Sequence, residues 1–409
     1  MEYHIHTLPN GIRLLHVPSA SPISHACIII NSGSRDENPG KAGLAHFIEH
    51  LVFKRTRKRG TAQILNRLES VGADLNAYTT KEYTCIHASF LNPYLDRTLE
   101  LFQDIVFHST FPENELEKEK GVVLDEIASY LDQPEEAIYD DFEDLLFAGH
   151  PLGNNILGTE ESVNGFTRED ILQFMAENYH TDRMVVAVLG NYSLAKVVKT
   201  GSKYYAEIAE NSSQPSRTAP VKLDGFSQVL DKPIQQAHVV MGAQAYSVYD
   251  DRKTALLLLN NLLGGTGMSS VLNLQLREKY GIAYTVETSY SPLSDTGIFT
   301  LYFGTDKEKL GRATAVVERE FRKLREGSLT ELQLQKAKNK FIGQIALGEE
   351  NRIGLVIAMA RSLIEHDRID DLQAIFGKIR AVGLDEMRAV AAEMLAPENL
   401  STLTFYPLA

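Results

Sequence analysis

The chain is poor in cysteine, in long apolar runs and in positive charge, and each shortage narrows what it can be. Only Cys27 and Cys85 occur among 409 residues, both in strand-like surroundings. Two thiols cannot staple a protein of this size, so a reduced pair in a core is expected. No apolar stretch approaches the ~20 residues that span a bilayer, so no membrane insertion is expected. Lys and Arg number 41 against 54 Asp and Glu, a formal net charge of −13, which argues against nucleic acid as the main partner. Met1-Glu2-Tyr3-His4 carries an acid and no basic run, so no export signal is expected and a cytoplasmic location is the default. One basic run, Lys54-Arg55-Thr56-Arg57-Lys58-Arg59, stands against the overall charge, and a solvated loop is favoured there over a binding patch.

What is present reads as a globular protein, 44% hydrophobic and 23% charged. Its length suggests two domains of about 200 residues each. Leu8-Pro9-Asn10-Gly11 separates two strand-like runs, Tyr3 to His6 and Ile12 to Val17, as the tight turn of a hairpin. A polar, Pro/Ser-rich stretch from Glu210 to Pro220 is the clearest linker, giving an N-terminal domain over 1–209, a linker over 210–224 and a C-terminal domain over 225–409. The halves look alike. Leu95-Asp96-Arg97 and Leu310-Gly311-Arg312 each open a helical stretch, and each is followed by a second long helix, through Leu116 to Glu126 and through Leu334 to Gln344. Strands such as His25 to Asn31, Tyr83 to Phe90, Met184 to Leu189, His238 to Met241 and Gly297 to Phe303 alternate with amphipathic helices. The fold class expected is therefore α+β: two homologous α/β units, each an antiparallel-rich sheet packed with long helices, joined by a linker.

His46-Phe47-Ile48-Glu49-His50 is the stretch with the most chemistry. Residues three and four apart share a helix face, so both imidazoles and the Glu49 carboxylate project into one space. Two neutral imidazoles at that spacing form half of a zinc site, and a carboxylate beside them can accept a proton from the attacking water. H-x-x-E-H is the inverted order of the commoner zinc-hydrolase pentad. The competing reading is two histidines placed by chance on a surface helix. A third ligand is best sought on the helix of Glu113 to Tyr130, where Glu119 and Glu126 lie seven apart and so on one face. A solvent-facing acidic helix accounts for that spacing equally well. No histidine pair occurs in Ala255 to Leu263, roughly where a counterpart of the pentad should lie, so the second half reads as a copy without metal chemistry.

Glu126, 76 positions after His50 and inside Val122-Val123-Leu124-Asp125-Glu126-Ile127, completes a pattern that resembles the pitrilysin-type zinc peptidases. It looks most like their half-length branch, which includes mitochondrial processing peptidase and bacterial processing-protease-like proteins. Further matching stretches are Gly33-Ser34-Arg35, Phe53-Lys54, Asn76-Ala77-Tyr78-Thr79, His150-Pro151-Leu152-Gly153, Gly267-Met268-Ser269-Ser270 and Leu276 through Tyr284. The resemblance implies a half-clamshell metallopeptidase holding one zinc ion per chain through His46, His50 and Glu126. It implies Glu49 as general base and Glu119 as a carboxylate supporting the ligands. It also implies Asn76, Ala77 and Tyr78 as an edge strand that takes the peptide substrate as an added strand. Arg277 and Tyr284 match a pair that contacts substrate near the zinc, and both suit a peptide carbonyl or its oxyanion. From local sequence alone, a surface salt bridge and a core aromatic fit them as well. Glu136 and Asp140 match acids that hold a substrate arginine, against a competing reading as a solvated acidic segment.

The activity implied is endopeptidase hydrolysis of unfolded peptides in a chamber formed by two associated chains. Because the metal motif and the Arg277/Tyr284 pair share one chain, a homodimer would be self-sufficient. Two alternatives stand beside it: a non-catalytic structural relative, and the active subunit of a heterodimer with a degenerate partner.

Overall fold

The structure is a computed structural model, and it describes residues 2–212 and 217–408. The chain forms two compact units. One comprises Met1–Ala128, Asn154–Arg217 and Gly348–Asp371; the other comprises Ser129–Gly153, Thr218–Leu347 and Leu372–Ala409.

The first unit is built on a six-stranded sheet of β1 (His4–Thr7), β2 (Arg13–Pro18), β3 (Ile23–Ile30), β4 (Asp74–Thr79), β5 (Thr84–Leu91) and β6 (Met184–Gly190), in the spatial order β1-β2-β6-β3-β5-β4. Only β2 and β6 pair in parallel. Gly11, at a φ of 91°, turns the chain between β1 and β2, as the Asn-Gly signal predicts. Side chains alternate along each strand. Ile28, Ile30, Ile86, Ala88, Val186 and Val188 enter one core, while Cys27, Ile29, Cys85, Val185, Ala187 and Leu189 enter another. Strands buried on both faces explain the unbroken apolar runs of Cys27 to Ile30 and Met184 to Leu189. The first core is closed by α1 (Leu44–Leu51), α2 (Thr61–Glu69), α3 (Leu95–Phe107), the long α4 (Glu113–Leu131), α6 (Glu160–Asn164), α7 (Arg168–Asn178) and α8 (Leu194–Tyr205). Val356, Met359, Ala360 and Leu363 of α12 (Arg352–His366) close the second.

The second unit has a five-stranded sheet of β7 (Ser227–Lys232), β8 (Ala237–Ala245), β9 (Val286–Pro292), β10 (Gly297–Thr305) and β11 (Ser401–Pro407), ordered β7-β11-β8-β10-β9. One face packs Val239, Met241, Phe299, Leu301 and Phe303 against α9 (Lys253–Gly264), α10 (Leu310–Arg325), α11 (Glu331–Gly348) and α14 (Leu384–Met394), with α13 (Leu372–Ala381) beside α9. The other face packs Val240, Ile298, Tyr302, Leu403 and Phe405 against Ile138, Phe142 and Leu146 of α5 (Pro134–Leu146). Gly242 makes room for that helix: a Cβ there would sit 2.3 Å from the Phe299 carbonyl oxygen and 3.1 Å from the Phe142 ring.

Both units are therefore discontinuous in sequence. The boundaries expected at 209 and 225 are crossed by two helical segments, α5 passing to the second unit and α12 to the first. Both are internal copies of each other, since α4 and α11 start 331 − 113 = 218 residues apart and α5 and α12 start 352 − 134 = 218 apart. Each covers a sheet face that is apolar and needs a helix over it. Of the expected linker, residues 213–216 lie outside the described residues. On its near side, the Asn211 side chain donates to the carbonyls of Ala176 and Tyr179. On its far side, Arg217 grips both Asp36 oxygens at 2.8 and 2.7 Å.

The basic run Lys54 to Arg59 departs from the solvated loop expected of it. Lys54 pairs with Glu119, and Arg59 pairs with Glu100 and Asp104, leaving Arg55, Arg57 and Lys58 exposed.

Candidate metal centre

Helix α1 begins at an unusual junction. Gly43 holds a φ of 92°, and a Cβ on it would lie 2.5 Å from the Leu157 carbonyl oxygen, so only glycine fits. Having no side chain, Gly43 cannot cap the helix. Glu37 does so instead, accepting the Gly43 and Ala45 N–H groups at 3.0 and 2.8 Å. Burial pushes the Glu37 carboxyl up to about 8, against the pull of those two donors. From this start the helix turns Leu44, Phe47 and Leu51 into the core and presents His46, Glu49 and His50 together.

Across from α1 stands α4. Val123 is buried on it, while Val122 is half exposed. Glu119 and Glu126 share the face toward α1. His46, His50 and Glu126 bring one ligand atom each within 4.8 Å of one another, the only such group among the described residues. The His46 and His50 Nε2 atoms are 3.2 Å apart, and the Glu126 carboxylate lies 3.8 Å from the first and 3.5 Å from the second. Ligand atoms on a tetrahedral zinc ion lie about 3.3–3.6 Å apart when bonds are ~2.0–2.2 Å. The donor set therefore fits zinc to within a few tenths of an ångström.

The surrounding charges support the same reading. His50 Nδ1 meets Glu119 Oε1 at 2.8 Å, and Lys54 Nζ meets Glu119 Oε2 at 2.6 Å. With its proton on Nδ1, His50 turns the Nε2 lone pair toward His46 and Glu126. His46 is held neutral, its pKa lowered to about 3 chiefly by burial and then by His50. Burial also opposes charge on His50, but the Glu119 hydrogen bond and the carboxylates of Glu49, Glu119 and Glu126 outweigh it and raise its pKa. Burial would raise Glu119, yet its bonds to His50 and Lys54 bring it below the usual carboxylate range. His46 Nδ1 is buried without a hydrogen-bond partner. Two imidazole Nε2 atoms 3.2 Å apart beside a carboxylate make a site shaped for a cation.

Glu49 sits beside this group without joining it. Its carboxyl is raised by burial, and the Thr79 hydroxyl donates to its Oε2 at 3.0 Å. Thr79 ends β4, the free edge of the first sheet, which also carries Asn76, Ala77 and Tyr78. Asn76 is exposed, whereas the Tyr78 ring turns into the second core beside Tyr83 and His87. Glu136 and Asp140 lie one turn apart on α5 in the second unit, a helix that Pro134 opens. Arg277 and Tyr284 also belong to the second unit, both exposed, the former in a wide helical turn over Asn273–Lys279 and the latter in the loop before β9. The structure thus assembles His46, His50, Glu49, Glu119 and Glu126 in one place. Sequence reading missed the partners Lys54, Thr79 and Glu37. The first two fall inside stretches that carried the resemblance, but nothing in their spacing marks them as contacts.

Residues 15–160 match the family described as insulinase, peptidase family M16, and residues 165–341 match the peptidase M16 inactive domain. The pentad and Glu126 fall in the first match, and α9, which carries no histidine, falls in the second. A protein of Bacillus subtilis named as an uncharacterized zinc protease is 31% identical over 394 residues, 96% of either chain. A namesake from Streptomyces coelicolor is 32% identical, covering 95% of this chain and 86% of that one. A protease from Helicobacter pylori superposes with a TM-score of 0.91 over 99% of this chain and all of that one, at 24% identity, and shows the same fold. A peptidase M16 inactive domain from Pseudomonas fluorescens, at 19% identity and a TM-score of 0.92, covers 100% of this chain and 98% of its own. With a family model covering α1 and α4 and relatives above 30% identity over nearly the whole chain, the chain belongs to peptidase family M16.

Proposed function

We propose that the protein is a zinc-dependent endopeptidase that hydrolyses unfolded peptides, with one zinc ion per chain. The observation that carries this reading is the convergence of His46, His50 and Glu126 on one point, with Glu49 beside it and outside the ligand set. Membership of a family whose relatives are named zinc proteases supports it. His46 Nε2, His50 Nε2 and Glu126 would hold the ion, and Glu119 and Lys54 would keep the His50 ring and tautomer fixed. A bound zinc ion supplies Lewis acidity, which polarises a scissile carbonyl and acidifies water. Glu49 takes the proton of the attacking water and passes it to the leaving amine. Asn76 and Ala77 on the free edge of β4 would hold the substrate backbone as an added strand.

The remaining assignments extend the same proposal. Two chains form the chamber as a homodimer, with Arg277 and Tyr284 of one chain stabilising the oxyanion at the other's metal. Glu136 and Asp140, one turn apart, would accept a guanidinium in a forked geometry and favour arginine near the cleaved bond. Two buried free thiols suit a reducing, cytoplasmic setting.

The test is metal analysis of the purified protein with digestion of a peptide library. Glu49→Gln should keep its zinc and lose hydrolysis by about a thousandfold or more. Activity above a few per cent in that variant would remove Glu49 from the base role. The same digest reads arginine preference. Mixing Glu49→Gln with Arg277→Ala chains after demonstrated subunit exchange should restore part of the activity, and exchanged mixtures that stay inactive would reject contacts in trans.

A further inference from the structure

The hydrogen bond between Thr79 and Glu49 links the strand proposed to seat substrate with the residue proposed to move the proton. Thr79 and Glu49 are 30 residues apart and belong to different layers, so their meeting depends on how α1 is held against β4. A short segment, Gly33 to Glu37, holds both. Ser34 and Arg35 donate their N–H groups to the carbonyls of Thr80 and Lys81, at 3.0 and 2.9 Å, in the turn that follows β4. A Cβ at Gly33 would lie 2.2 Å from the Thr80 carbonyl oxygen, so the approach requires glycine. The Arg35 guanidinium meets Glu82 at 2.5 Å, and Arg217 binds both Asp36 and the Glu82 carbonyl. Two residues after Arg35, Glu37 caps the first turn of α1. The segment is thus bonded at one end to the turn beyond Thr79 and at the other to the helix that carries Glu49.

We propose that Thr79 is a positioning residue for Glu49, and that its hydroxyl decides which carboxylate oxygen carries the transferred proton. This rests on the peptidase reading above. The hydroxyl donates to Oε2, so Oε2 is already engaged and Oε1 is left to accept the proton from water. Thr79 neither gains nor loses a proton; the one taken up by Glu49 leaves with the amine. Without the hydroxyl Oε2 loses its donor, and the carboxyl can rotate with its proton turned away from the leaving nitrogen. Orientation of this kind is worth roughly tenfold in rate when a single hydrogen bond supplies it. Because Thr79 lies on the strand edge itself, a peptide added to β4 presses on the element that sets the base.

Thr79→Val keeps the branched shape that suits a strand and removes only the hydroxyl. Thr79→Ser keeps the hydroxyl and removes the methyl. The Val variant should retain zinc and KM while kcat falls about tenfold, and the Ser variant should return to within about threefold of wild type. A Val variant within twofold of wild type in kcat would overturn the proposal. So would equal losses in both variants, which would make the role one of packing. Wild type and Glu49→Gln run alongside: if wild type cleaves no peptide the functional reading fails, whereas an active wild type matched by Thr79→Val sinks only this inference.

Discussion

In the first unit α1 and α4 face each other through His46, His50 and Glu126, while in the second α9 and α11 face each other through Asn261 and Gln344. The Asn261 amide donates to Gln344 Oε1 at 2.8 Å, and Gln344 donates onward to the Thr266 carbonyl at 2.7 Å. Gln344 is the internal counterpart of Glu126 and Ala337 that of Glu119. With Asn261 in the place of His50, Leu257 falls on His46 and Asn260 on Glu49. At the positions of His46, Glu49, His50, Glu119 and Glu126 the second unit's helix pair carries only amide or alkyl side chains. Buried imidazoles and carboxylates are stable together only when a cation or a complete hydrogen-bond set balances them. The Asn261–Gln344 pair carries no charge to balance, although Asn261 Oδ1 is left without a hydrogen-bond partner among the described residues. Even the edge-strand threonine has a counterpart: Thr288 on β9 donates at 2.8 Å to the Asn260 backbone carbonyl, where Thr79 donates to the Glu49 side chain. The same bridge meets a backbone carbonyl in one unit and a side-chain carboxylate in the other.

The largest effect should come from writing the second unit's residue into the first. Glu126→Gln places at 126 the amide found at 344, removing the charge and leaving a weak oxygen donor. Zinc content should fall below about a tenth of wild type, and peptide hydrolysis by about a thousandfold or more. Metal analysis and a peptide assay read both. Full zinc occupancy in Glu126→Gln would mean that the third ligand lies elsewhere and that the comparison has paired the wrong helices.

How much of this the sequence discloses depends on whether the signal is local. The pentad is legible because three residues on two turns of one helix must share a face, and Glu119 with Glu126 is legible for the same reason. The doubling is legible because α4 and α11 repeat at a constant offset. The exchange of α5 and α12 is not, because both look like the next helix along the chain and nothing in their periodicity says which sheet they cover. Lys54 shows the same limit. Within a run of cations it reads as solvated, and only the position of Glu119 on a distant helix turns it inward. Thr79 and Glu37 act across 30 and 6 to 8 residues through single hydrogen bonds, which no periodicity encodes.

The second prediction addresses that exchange. Phe142 of α5 is fully buried over β8, its ring 3.1 Å from where a Cβ on Gly242 would stand. Phe142→Ala should cost about 3–5 kcal/mol, as large-to-small changes in well-packed cores do. Denaturant or thermal unfolding with a probe in the second unit would measure it. A cost below about 1 kcal/mol would mean that α5 merely lies on the sheet instead of closing its core.

The smallest effect concerns how each helix is entered. In the second unit Asp250 holds Arg252 at the start of α9, through a guanidinium whose side chain is half exposed. In the first, Asp170 of α7 accepts Lys41 at 2.7 Å and the Thr167 N–H at 2.9 Å, anchoring the approach to α1 from another helix. Burial works against the Asp170 charge, but Lys41 and Thr167 outweigh it and lower its pKa below 3.8. A carboxyl depressed in the folded state adds stability that is present above its unfolded value and is lost as pH falls through the folded one. Asp170→Asn removes the ion pair and weakens the cap, and solvent screening keeps the loss near ~1 kcal/mol at neutral pH. The gap between wild type and variant should stay constant from about pH 8 to 5 and begin to close only below about pH 4. Melting curves across that range decide it. A variant as stable as wild type at pH 7 would show that α1 is held by Glu37 and the Gly43 junction alone, and that the two helix entries differ less than their geometry suggests.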